Sequence, residues 1–270
     1  MKSYGIINNS NIYTSEDLQL EEFYNLGYTV IEGALNSYQI QLLSDELDKV
    51  YEIQEKEFGI EKLNSINELH LARFPLAYSE EFVKLASKKE LINYVEKILG
   101  NYFVLHLQNG IINMPNQEHH QSSWHRDLPY QNWTSNKPLA CNVYYCLDDF
   151  NNKTGATFVL PYSHQFTNAP SQTYMEKHSL QIIAPAGSAI LFNSMLFHKA
   201  GFNFTNDKLR RGINHVYVTP IITQQIDLPA LLKGKYADDE FLNMLFGYKT
   251  KLAGSVSEYR AMRSLKTISK

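Results

Sequence analysis

Between residues 101 and 220 the chain is built from short apolar runs, among them Tyr102-Phe103-Val104-Leu105-His106-Leu107, Ala156-Thr157-Phe158-Val159-Leu160, Leu180-Gln181-Ile182-Ile183-Ala184 and Ser188-Ala189-Ile190-Leu191-Phe192. Turn residues separate them. Runs of this length, rich in β-branched and aromatic residues, predict many short strands and hence a sandwich or jelly roll. On either side the period changes. Over residues 37–57, Leu43, Leu47, Val50 and Tyr51 recur at helical spacing beneath a charged face of Asp45, Glu46, Asp48 and Lys49, which reads as solvated surface. Thr14-Ser15-Glu16-Asp17 is a capped start for a shorter helix ending near Gly27. Further helices are predicted over 79–86, over 89–99 with Gly100 as its stop, over 238–246 and over 255–265.

No Pro/Gly/Ser-rich linker and no repeat divides the chain, so 1–270 is expected to be a single domain. It has a mainly helical part (1–100), a β core (101–220) and C-terminal helices (221–270) that buttress the core or meet a second subunit of a homo-oligomer. At 44% hydrophobic and 13% aromatic residues the chain can bury a sizeable core. A net charge of −3 and a pI near 6.3 offer no footprint for a nucleic acid. Residues 1–10 lack the apolar segment of a signal peptide, and no apolar run approaches the roughly 20 residues that span a bilayer, so no membrane partner and a cytoplasmic location are expected. Cys141 and Cys146, five apart on a predicted strand, must face opposite ways, which makes them reduced core thiols.

The chemistry concentrates in Ser122-Ser123-Trp124-His125-Arg126-Asp127-Leu128-Pro129-Tyr130 and in His198, within Leu196-Phe197-His198-Lys199-Ala200-Gly201. On an extended strand His125 and Asp127 share a face while Arg126 points away. Two histidines and one carboxylate bind one side of an octahedral ion. The open positions suit a non-haem Fe(II) centre that takes a chelating cosubstrate and dioxygen. Arg210 opens a strand-like run, Arg210-Arg211-Gly212-Ile213-Asn214-His215-Val216-Tyr217-Val218. Its planar fork can clamp a carboxylate by two charge-assisted bonds.

With these landmarks the chain resembles the phytanoyl-CoA dioxygenase family of Fe(II)/2-oxoglutarate oxygenases, which includes ectoine hydroxylases. The resemblance starts at Glu22-Phe23-Tyr24-Asn25-Leu26-Gly27-Tyr28-Thr29-Val30-Ile31 and runs through Trp124-His125-Arg126-Asp127 and Thr154-Gly155-Ala156-Thr157-Phe158-Val159-Leu160-Pro161-Tyr162-Ser163-His164. It continues through Gly187-Ser188-Ala189-Ile190-Leu191-Phe192. It implies a mainly β fold with flanking α-helices around a double-stranded β-helix, the cupin-like jelly roll. His125, Asp127 and His198 would be the catalytic iron ligands, with Arg210 on the far carboxylate of 2-oxoglutarate. Arg211 is the alternative for that carboxylate. Gly212 falls where the family has a small residue and favours Arg210, and strand alternation sends the two arginines to opposite faces. Gln108 and Asn142 match positions that lie near the cosubstrate in relatives. The chain departs from the family at Ala200, where a serine is usual.

The resemblance implies a dioxygenase that hydroxylates an unactivated C–H bond of a small molecule and releases succinate and CO2. An intact Asp127 disfavours halogenation, which needs a small residue there. Tyr130, Gln131 and Trp133 follow the His-Arg-Asp motif on a loop at the barrel mouth and are candidate substrate contacts, suited to a sugar or amino-acid derivative. His119 and His120, read as strand neighbours, would point apart and line a loop over the pocket. His164 reads as a turn residue, and His215 as either core or pocket. Two other readings compete: a zinc hydrolase using the same ligands, and a catalytically silent jelly-roll module that binds glycans.

Overall fold

A computed structural model describes residues 14–268 of the chain; residues 1–10, expected to carry no signal segment, lie outside them. Helix α1 (Ser15–Leu26) starts at the predicted cap, where the Thr14 side chain accepts from the Asp17 amide and Asp17 accepts from the Thr14 amide. The long predicted helix is α2 (Ser37–Phe58), followed by α3 (Ile60–Ser65), α4 (Glu80–Ala86) and α5 (Lys89–Leu99). The strands are β1 (Tyr28–Ile31), β2 (Leu71–Arg73), β3 (Val104–Asn113), β4 (Ala140–Cys146), β5 (Phe158–Val159), β6 (Leu180–Gln181), β7 (Ala189–Asn193), β8 (His198–Lys199) and β9 (Arg210–Val218). Helix α6 (Gln172–His178) interrupts the β region, and α7 (Leu228–Leu231), α8 (Glu240–Leu245) and α9 (Val256–Ile268) close the chain.

Among the described residues the strands form two antiparallel sheets, one of six strands in the order β1-β7-β4-β9-β3-β2 and one of three in the order β6-β5-β8. The part expected to be mainly helical therefore supplies both edges of the large sheet. Strands of four and three residues are too short to show a period against their helical surroundings. The β2 edge is covered by a side chain, since Gln54 of α2 both accepts from the Arg73 amide and donates to its carbonyl.

Alternation along the large sheet separates two cores. Cys141, Val143, Tyr145, Leu191 and Ile213 face the helices and pack with Phe23, Leu47, Phe82 and Val95. Tyr144, Cys146, Ile190 and Phe192 face the small sheet and pack with Ala156, Val159, Ile182 and Ala184. The two cysteines are free and buried, one in each core. Gly110 lets α2 come close: a Cβ there would stand 2.2 Å from Leu47 Cδ1. Among the described residues no helix is long and apolar enough to cross a membrane.

His215 lies on the helix side of β9, fully buried, where its Nε2 meets the Gln108 amide at 2.7 Å. It belongs to the core and not to a pocket. Burial pushes its pKa down to about 3, so it stays neutral when folded and takes up a proton near its ordinary value once unfolded. The unfolded chain binds more protons between those two values, and the stability present above the ordinary value is lost as pH falls toward 3. Calorimetry from pH 7 to 4 is expected to show a falling thermal midpoint; a flat profile would contradict a neutral, buried His215.

Candidate metal centre

The site begins with backbone. The amide of His125 donates to the carbonyl of His198 and the amide of His198 to the carbonyl of His125, both at 3.0 Å. Residues paired this way in an antiparallel ladder put their side chains on one face, and the two imidazoles lie 4.3 Å apart between centroids. Two residues on, outside the register of that bridge, the Asp127 amide donates to the Ser194 carbonyl, and the Asp127 carboxylate comes to the same side as the imidazoles. Its Oδ1 lies 3.8 Å from each histidine Nε2. One ligand atom from each of the three residues lies within 4.8 Å of the others.

Outer contacts leave those atoms ready for a metal. His125 Nδ1 donates to the Ser123 carbonyl and His198 Nδ1 to the Leu196 carbonyl, so both Nε2 atoms keep a free lone pair. His125 Nε2 is buried with no hydrogen-bond partner, as expected of a ligand atom awaiting an ion. Burial, with His125 adding to it, pushes the His198 pKa down to about 4, which keeps the ring neutral as coordination requires. The other oxygen of Asp127 accepts from Asn142 Nδ2 at 2.5 Å. Asn142 is held in turn by Ser194, which donates to its Oδ1, and by Asn214, whose Oδ1 accepts from Nδ2. In these contacts Asn142 orients the carboxylate. Arg126 points away, donating to the carbonyls of Ser163 and Phe166.

Arg210 is 1% exposed and lines a cavity with His125, His198, Tyr144, Ala200 and Asn214. One of its nitrogens donates to the Tyr144 hydroxyl, its Nε has no partner, and it has no acidic partner among the described residues. A buried guanidinium without a counter-charge is costly, and the charge of an anion in the cavity would offset that cost. Gly212 makes room for the arrangement, because a Cβ there would meet the Tyr144 ring at 2.5 Å. Arg211 is on the opposite face, bound to Asp48 and Asp148.

Gln108 does not reach this cavity. Register pairs it with His215, on the helix side, where its oxygen accepts from the Leu76 amide and its nitrogen donates to the Phe82 carbonyl. The expectation placed it one residue out of phase: Asn109, paired with Asn214, lines the cavity side. Tyr130, Gln131 and Trp133 line a second cavity of about 680 Å³ that reaches Asp127 and Asn214. Tyr130 is 94% and Trp133 51% exposed, whereas Gln131 is buried and donates to the Trp133 carbonyl, holding the loop. His119 and His120 occupy a turn rather than a strand, so their rings lie together, 4.2 Å between centroids. His164 is a turn residue meeting the Tyr24 carbonyl. Two participants were missed. Asn214 was legible by alternation from Arg210, whereas Gln121, which lines both cavities, carries no local signal.

The phytanoyl-CoA dioxygenase (PhyH) family model matches residues 23–212. The chain belongs to that family. Rv1501 of Mycobacterium tuberculosis, itself uncharacterised, is 30% identical over 257 residues, covering 91% of this PhyH-family chain and 92% of its own. The structure of the epimerase SnoN in complex with Fe3+, alpha ketoglutarate and nogalamycin RO covers 76% of this chain and 84% of its own, at 16% identity and a TM-score of 0.59. HygX from Streptomyces hygroscopicus, with nickel and 2-oxoglutarate bound, covers 80% and 93%, at 16% identity and a TM-score of 0.58. Both share the fold of this PhyH-family chain.

Two variants separate the roles of the amides in this PhyH-family protein. Asn142→Leu is expected to weaken Co(II) or Fe(II) binding about 10- to 100-fold in equilibrium dialysis, because the carboxylate loses its orienting bond. Gln108→Leu is expected to leave metal affinity unchanged and to lower stability by about 2–4 kcal/mol in denaturant titration, because buried backbone groups lose their partners.

Proposed function

We propose that this protein is an Fe(II)- and 2-oxoglutarate-dependent dioxygenase that hydroxylates an unactivated C–H bond of a small molecule. The observation that carries the reading is the pairing of a triad of two imidazoles and an oriented carboxylate with a buried guanidinium that has no acidic partner among the described residues, in one cavity. His125, Asp127 and His198 would hold the iron, and Arg210 the far carboxylate of 2-oxoglutarate. Iron with 2-oxoglutarate and O2 would supply the oxidising power for C–H cleavage, with release of succinate and CO2. The chain does the positioning: Tyr144 braces Arg210, Asn142 braces Asp127, and Phe192 and Ile111 wall the cavity against water. Ala200 offers no hydroxyl, which leaves more of the anion's binding to Arg210.

The substrate would occupy the cavity lined by Tyr130, Gln131 and Trp133. Its walls include Leu107, Leu128, Leu139 and Ile222, and its polar groups include Asn109, next to the iron side. This mixture favours a small amphipathic molecule with an apolar body, and a purely polar sugar or amino-acid derivative would leave those walls unfilled. The hydrolase and silent-module readings give no use to a buried Arg210 that has no acidic partner among the described residues. Free buried thiols on both faces of β4 favour a reducing, cytoplasmic setting.

Anaerobic addition of Fe(II) and 2-oxoglutarate is expected to give the visible charge-transfer band of the chelate. The band should vanish in His125→Ala, and half-saturation should need about 100-fold more 2-oxoglutarate in Arg210→Ala, the effect of stripping a buried charge of its partner. Arg211→Ala should match the parent, and Gly212→Val should weaken 2-oxoglutarate by displacing Tyr144. No band in the iron-loaded parent would sink the oxygenase reading. With the band established, the stereochemistry and oxygen content of the product separate hydroxylation from the epimerisation catalysed by SnoN.

A further inference from the structure

A third cavity, of about 460 Å³, lies under the turn that precedes the His-Arg-Asp motif. It is bounded by Asn64, His70, Asn113, Gln117, His119 and His120, and shares no lining residue with either cavity of the metal centre. Its size falls within the roughly 300–1,000 Å³ of small-molecule sites.

Two deeply placed polar atoms in it lack partners. His119 is 7% exposed, and its Nδ1 accepts from the Gln121 amide, which fixes the ring proton on Nε2; that Nε2–H has no acceptor. Asn113 is 0% exposed and donates from Nδ2 to the Gly201 carbonyl, while its Oδ1 has no donor. A bare donor and a bare acceptor thus belong to two residues that line one cavity, and each is costly until filled. A hydroxyl group is donor and acceptor at once and can serve either.

The charges narrow the ligand. No lysine or arginine lines the cavity, and its one carboxylate, Glu118, already accepts from the Ser122 hydroxyl. Burial pushes His119 down to about 2 and His120 to about 4, and lowers His70 as well, so the three imidazoles are uncharged at neutral pH. An anion would find no cation among the lining side chains and would meet Glu118. A metal ion is also disfavoured, because among the described residues only His125, Asp127 and His198 converge closely enough to share one. At the mouth Asn64, Asn67 and Gln117 add amides, which match hydroxyls as both donors and acceptors.

We infer that this cavity is a binding site for a neutral, hydroxyl-rich ligand of the sugar or polyol class, separate from the metal centre. It does not depend on the chemistry of the iron site.

The test is binding of glucose, myo-inositol and trehalose to the full chain, by calorimetry and ligand-observed NMR, with inorganic phosphate as the charged control. At least one of the three is expected to bind at millimolar concentration or below, and phosphate not to compete. His119→Phe, which keeps a ring and removes the N–H, should weaken it about tenfold or more, whereas His119→Gln, which restores an N–H, should recover most of the affinity. His125→Ala should bind as the parent does. Circular dichroism checks each fold, and Gln117→Leu at the mouth, expected to weaken binding several-fold, replaces His119→Phe if that variant does not fold. Failure of all three polyols to bind, equal binding by phosphate, or loss of binding in His125→Ala overturns the inference. So does undiminished affinity in the folded His119→Phe or its replacement.

Discussion

The reciprocal pair of backbone hydrogen bonds between His125 and His198 is the constraint on which the rest of the site depends. It joins residues 73 apart in sequence and puts both imidazoles on one face at a separation set by ladder geometry, without relying on side-chain contacts. Asp127 is placed beside that bridge by a separate backbone bond, its amide donating to the carbonyl of Ser194. Ser194 acts a second time, since its hydroxyl donates to the Asn142 oxygen and fixes the amide that in turn holds the Asp127 carboxylate. One residue thus sets the ligand's backbone position and, through Asn142, its side-chain orientation.

Around that ladder the large sheet works as a partition. Its outer face is dry and covered by helices, where Gln108 meets His215 and bonds the backbone of Leu76 and Phe82. Its inner face carries Asn142, Tyr144, Arg210 and Asn214, polar groups that a closed sandwich core would reject unless a ligand completes them. The two arginines show how sharp the partition is. One peptide unit separates a guanidinium neutralised by two aspartates at the surface from one buried with only a phenol to accept from it.

Membership of the phytanoyl-CoA dioxygenase family and the shared fold of SnoN and HygX agree with this layout. His125 and His198 sit on the small-sheet side and Arg210 on the large sheet, so the candidate centre spans the two layers. The walls around Tyr130 and Trp133 combine strand residues such as Leu107 and Asn109 with loop residues such as Leu128 and Ile222, and the loop part can vary without disturbing the backbone bridge.

Much of this was legible in the residues. Helical periods located α1, α2, α4, α5, α8 and α9, and short apolar runs foretold the β core. The His-x-Asp spacing, the distant His198 and the alternation of Arg210 with Arg211 marked the centre, because period-two geometry is local and acts wherever a strand forms. The sequence could not reveal that Leu71–Arg73 becomes an edge strand, because a strand that short is created by the partner it pairs with. Nor could it assign Gln108 to a face, since a bulge in β3 between Leu105 and Leu107 shifts the register there. The cavity beside His119 was equally hidden. Its turn looks like strand in one dimension, and only the packing of Asn64, His70 and Asn113 around it makes a space at all. Local chemistry follows from residue order, whereas faces, edges and voids follow from which distant segments come to lie together.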